Sequence, residues 1–151
     1  MDTEDPLKLW QHLHGATTHF PIALVFMSVA FDMGALLFKK ENWRIVGFWT
    51  LVACMILIVP AIASGLYGIY VDTGGKANFA AGGYNAVRTI QWHRNMSFFA
   101  TGFLLIPTIW RVAKRDQLAT DARVVCLCFV FLAMLFIAVA GYNGAYVPRG
   151  Y

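Results

Sequence analysis

Four long apolar runs, separated by short charge-bearing gaps, constrain this chain more than any other feature of its sequence. A bilayer core of about 30 Å is crossed by about 20 mostly apolar helical residues. Runs at about 19–38, 46–71, 92–110 and 124–147 meet that requirement. Strands are a poor reading of the same residues. The runs lack period-two alternation, and an open sheet edge cannot face lipid. Only 13% of the residues are charged, against about 25% in an average soluble domain. The expectation is an all-α integral membrane protein: one domain over 1–151, folded as a four-helix up-down bundle.

Charge sets the orientation. Seven cations (Lys39, Lys40, Arg44, Arg111, Lys114, Arg115, Arg123) fall in the first and third gaps. Five others (Lys8, Lys76, Arg88, Arg94, Arg149) are spread over the N-terminus, the second gap with the opening of the third run, and the tail. Positive loops stay cytoplasmic, so both termini are expected outside, N-out and C-out. The net charge of +4 is then a matter of topology and gives no reason to expect nucleic-acid binding. The acidic start MDTEDPLKLWQ lacks the basic, cleavable pattern of a secretory signal, so the first run is expected to be retained. Trp10, Trp43, Trp92 and Trp110 fall near run ends, as an interfacial aromatic belt does. Membrane lipid is the first partner.

The second gap, 72–88, holds TGGKANFAAGGYN and reads as a Gly-rich outer loop. No breaker follows Asn85, so the third helix is expected to begin outside the membrane. Pro21 reads as a first-turn proline. Pro60 and Pro107 lie within runs and are expected to kink or shorten their helices. Cys54, Cys126 and Cys128 form no disulfide or zinc framework and read as packing residues. No internal repeat stands out.

The histidines carry the chemistry. His12, His14 and His19 precede or open the first helix, and His93 opens the third. Both helices enter from the outside, so all four imidazoles share a depth. Helices one and three lie diagonally across an up-down bundle. Two neutral imidazoles at one depth can take both sides of a haem iron, and His19 with His93 is the expected axial pair. His14, about 140° around the helix from His19, could ligate a second centre, replace His19, or bond near a propionate. Arg88 and Arg94 lie at the same surface and would neutralise propionates. Met96 shares the His93 face but reads as packing. Copper is an alternative, because HLH precedes His19, and so is quinone. The bland reading is a set of interfacial histidines in a cofactor-free structural subunit.

Asp32 lies about 20 Å beyond His19 along an ideal helix, in the inner half of the membrane. An unpaired carboxylate there costs several kcal/mol, roughly, and is a functional candidate by default. Three readings stand: neutral and hydrogen-bonded to another helix, reaching toward Lys39 or Lys40, or part of a proton path. Tyr67, Tyr70, Tyr142, Asn143 and Tyr146 surround the histidine level. Gly65, Gly68, Gly141 and Gly144 would allow close approach of helices or of a cofactor.

The opening HLHGATTHFPIALVFMSVAFDMGALL resembles a bacterial membrane family, domain-of-unknown-function family 2231. The match lies on Leu13, His14, His19, Phe20, Pro21, Ile22 and Asp32. His93 with Asn95 is similar to that family's third-helix opening, and GYNGAYVPRG to its C-terminal end. Gly15 stands where the family has proline after the first histidine. The resemblance covers nearly the whole chain. It implies a multi-pass protein of the bacterial inner (cytoplasmic) membrane that is redox-associated, often beside or fused to c-type cytochromes. With the histidines, this leads to the expected function. The chain would be a haem b-binding electron-transfer subunit of a larger respiratory or photosynthetic complex, its partners the other redox subunits and a periplasmic c-type cytochrome. No nucleophile–base constellation points to a stand-alone enzyme.

Overall fold

The computed structural model describes residues 6–72 and 83–145, with side chains over 12–70 and 88–145. Four helices account for nearly all of it: α1 (Pro6–Phe38), α2 (Glu41–Asp72), α3 (Gly83–Ala113) and α4 (Thr120–Gly144). There is no strand among the described residues. Each helix carries an apolar span of 25 to 30 residues, His12–Phe38, Glu41–Tyr70, Arg88–Ala113 and Thr120–Gly144, all longer than the roughly 20 residues a bilayer core requires.

The helices exceed the apolar runs because polar residues continue them. α1 starts at Pro6, where proline's missing N–H costs nothing, so His12, His14 and His19 all lie on the helix. Pro21 is therefore in the middle of α1 and not in its first turn. α2 and α3 likewise run through Pro60 and Pro107 without ending. α3 begins at Gly83, ahead of its apolar run, as the lack of a breaker after Asn85 foretold. α4 ends at Gly144, so Tyr146 and Val147 of the expected fourth run lie outside the described residues.

α1 packs chiefly on α2, and α3 on α4. The two hairpins then meet through α1–α4 and α2–α3. This places α1 and α3 on one diagonal. Lys39 and Lys40 alone join α1 to α2. Residues 114–119 join α3 to α4, with Arg115 and Asp116 in the left-handed region (φ 48° and 56°). The centre is built of small and branched residues, including Val25, Leu51, Cys54, Leu104, Val130 and Ala133, each fully buried. Small side chains let backbones approach where lipid supplies no hydrophobic drive. Large apolar groups point outward instead: Phe20, Leu37, Trp49, Ile56 and Val59 are all more than 60% exposed. Helices apolar on every side call for an apolar solvent.

Candidate functional site

Polar groups gather at the two ends of the bundle. At the first, His14 from α1 and His93 from α3 meet across the diagonal, ring centres 6.0 Å apart and planes at 88°. His14 Nδ1 lies 3.1 Å from the carbonyl of Ala61 on α2 and 3.1 Å from Ser64 Oγ. His93 Nδ1 lies 2.8 Å from the carbonyl of Ala140 on α4. A carbonyl only accepts, so both rings carry their proton on Nδ1 and donate it. In the neutral form of each ring, Nε2 is then the acceptor nitrogen. Ser64 Oγ donates to the same Ala61 carbonyl at 3.0 Å and is 3.1 Å from Thr17 Oγ1, which fixes the His14 side further.

Two glycines make room for these rings. A Cβ on Gly65 would lie 2.8 Å from His14 Cε1, and one on Gly144 would lie 2.9 Å from His93 Nδ1. Gly68 and Gly141, in contrast, face open space. Each imidazole thus rests on the backbone of its neighbouring helix and is hydrogen-bonded to a carbonyl there.

The residue opposite His93 is His14 and not His19. His19 is exposed, and its Nδ1–H is donated to the carbonyl of Gly15 on its own helix. The reason is angular. His14 and Asp32 are 18 residues apart, five full turns at 100° per residue, whereas His19 sits about 220° from Asp32. Asp32, buried by its charge, marks the inward face. Counting back from it identifies His14, a signal available in the sequence alone. His12 is also exposed. Arg88 is exposed and lines a groove of about 220 Å³ on the side of α3 with Gln91, Trp92, Asn95, Met96 and Phe99, while Arg94 is half-buried. Tyr67, Tyr70 and Tyr142 are turned outward, 45–67% exposed.

At the other end lies a buried ionic network. Asp32 is held by both terminal nitrogens of Arg111, at 2.5 and 3.1 Å. Arg111 Nε donates to Asp116 at 2.8 Å, and Asp116 also binds Arg44, which pairs with Glu41. Arg111 is only 2% exposed and Asp116 5%. The Arg111 guanidinium also lies 5.3 Å from the Phe48 ring centre, a cation–π contact. Gly47 lets the Asp32 carboxyl lie against α2, since a Cβ there would come within 2.9 Å of its Cγ. Asp32 does bond to another helix, as one of its three readings has it, but its partner there is a cation, Arg111, which none of them names. The expectation that every cation lies in a loop also fails: Arg44, Arg88, Arg94, Arg111 and Arg123 all lie on helices, and Arg111, in the last turn of α3, is buried. Asp32 supplied the clue: a buried carboxylate calls for a cation at its own depth, and Arg111 lies there.

Between the two ends, some 27 Å apart by helical rise, the centre is the apolar layer of Val25, Leu51, Leu104 and Val130. Cys54 and Cys126 are buried within the bundle and Cys128 faces outward; all three are free thiols. Among the described residues no group of three or more His, Cys, Asp or Glu is arranged to hold a bare metal ion.

A bundle of four spanning helices with a polar pair at one end and a buried ion network at the other defines a multi-pass membrane protein. The chain belongs to the family described as predicted membrane protein (DUF2231), whose model matches residues 11–148. No curated protein and no solved structure matches it.

Proposed function

We propose that this protein is a haem b-binding electron-transfer subunit of a larger membrane complex, in which His14 and His93 would hold the haem iron. The observation that carries the reading is the imidazole pair at 6.0 Å, each ring with Nδ1–H donated to a backbone carbonyl. Two nitrogens each about 2 Å from one metal put their ring centres on the order of 6 Å apart. A hydrogen bond at Nδ1 orients a ligating ring and raises the basicity of Nε2. Haem iron takes two donors from the protein, and the pair offers two. When bound, haem supplies a one-electron couple. The chain's own part is to hold the two imidazoles as neutral donors at a fixed spacing. Gly65 and Gly144 keep the rings against their helices, and Arg88 and Arg94 provide cations on the His93 helix for propionates.

The charge asymmetry supports N-out, C-out insertion in a bacterial cytoplasmic membrane. The histidine end would then lie at the periplasmic face, within reach of a c-type cytochrome or of quinone. A quinone held directly by the histidines fits less well. With both protons on Nδ1, neither Nε2 can donate to a quinone carbonyl. Bare copper would draw on the same two nitrogens.

The test is a dithionite-reduced minus air-oxidised visible spectrum of the protein purified in detergent with its native partners. Sharp α and Soret bands are expected. They should vanish in His14→Ala and in His93→Ala and persist in His19→Ala. A flat spectrum removes the haem reading and leaves the cofactor-free subunit, or copper or quinone at the same histidines.

A further inference from the structure

We infer that the chain is one helical hairpin used twice, so that residues 12–66 and 91–145 are equivalent and the histidine pair lies on the two-fold axis between them. The observations concern spacing. His14 bonds to the carbonyl 47 residues ahead of it, and His93 does the same. α2 starts at Glu41 and α4 at Thr120, an offset of 79. That offset carries His14 onto His93, Ala61 onto Ala140, Gly65 onto Gly144 and Arg44 onto Arg123. The imidazole, the carbonyl that orients it and the glycine that admits it thus recur as a set.

Burial obeys the same offset. Val25 and Leu104, Leu51 and Val130, and Cys54 and Ala133 are equivalent pairs, every member 0% exposed. The decisive contacts join equivalent positions directly. His14 meets His93 at one end, and Asp32 meets Arg111, again 79 residues on, at the other. Two points that touch their own images at both ends of a bundle define an axis running along it. α1 and α3 on one diagonal, and α2 and α4 on the other, are what such an axis demands. The repeat escapes a reading of the sequence because lipid-facing positions differ freely between the halves, and the ends of α1 and α3 differ too.

The inner pair explains why the halves are fused. In a dimer of identical hairpins the position on the axis would face its own copy, and two like charges would meet in a low-dielectric interior. One chain carrying both copies lets the two positions become Asp32 and Arg111. At the histidine end identity serves the site, since each half supplies one equivalent nitrogen donor. Resting here on the proposed function, the ligand is one with two equivalent coordination positions on opposite sides.

The test is by spin-label distances in the full chain, with Cys128→Ser removing the exposed thiol. Phe20→Cys with Val125→Cys, and Phe99→Cys with Val46→Cys, are image pairs at exposed positions. Their two distance distributions should coincide. Distributions that do not overlap overturn the two-fold inference, whether or not haem binds. With haemin added, His14→Met and His93→Met should shift the bands alike. A flat spectrum with coincident distances removes the haem reading alone and leaves the repeat standing.

Discussion

Single residues decide how the histidine end is built, and the glycines make the sharpest case. In a helix interior glycine is worse than alanine by about 1 kcal/mol, so each glycine here needs a reason. Gly65 and Gly144 have one, because an added methyl would strike an imidazole. Overpacking of this kind costs about 1–3 kcal/mol. Gly65→Ala and Gly144→Ala are expected to lower stability in detergent unfolding, or at best leave it unchanged, and to break the Nδ1–H bonds seen by nitrogen-15 histidine spectra. Gly68→Ala and Gly141→Ala, facing open space, should be neutral or gain up to about 1 kcal/mol. Equal responses from all four would mean that the rings do not rest where they are described.

At the scale of the elements, the ionic network ties the ends of α1, α2 and α3 to the turn before α4. Arg111 serves two carboxylates, Asp32 and Asp116, whereas Asp32 has one arginine. Breaking a buried pair by removing one partner costs about 3–5 kcal/mol, while replacing both by apolar groups is often far milder. Arg111→Met should therefore destabilise more than Asp32→Asn, because it strands Asp32 and leaves Asp116 with Arg44 alone, where the other leaves Arg111 its bond to Asp116. Asp32→Val combined with Arg111→Met should recover part of the loss. Denaturant midpoints of the three variants and the parent check the order, and a double variant no better than Arg111→Met would refute it. The helices themselves were legible from apolar length alone, since lipid imposes that length. Their ends were not: hydropathy stops at the bilayer edge, but backbone hydrogen bonding continues through His12, His14 and Arg111. The site was half legible. His93 and the shared depth followed from topology. Choosing His14 over His19 required the helical angle relative to Asp32, and Arg111 was hidden by its place beside the loop cations Lys114 and Arg115.

For the whole molecule, equivalence of the two hairpins predicts that their order in the chain is interchangeable. The α4-to-α1 link would be formed by residues 145–151 and 1–5, which together outnumber residues 73–82 between α2 and α3. Fusing Tyr151 directly to Met1 and opening the chain within 73–82 should give a permutant that inserts and unfolds with a midpoint close to the parent's, read by circular dichroism. A permutant that inserts but has lost its cooperative transition would show that the halves have diverged too far to exchange places. On the proposed electron-transfer reading, the separation of the two polar ends decides how the membrane voltage acts on the protein. The transmembrane potential is worth about 2.3 kcal/mol per elementary charge per 100 mV, and nearly all of it falls across the apolar layer between the histidine pair and the arginine network. A charge that arrives at the histidines and departs from the same face crosses almost none of that drop. Chemistry confined to this end neither draws on the membrane voltage nor adds to it.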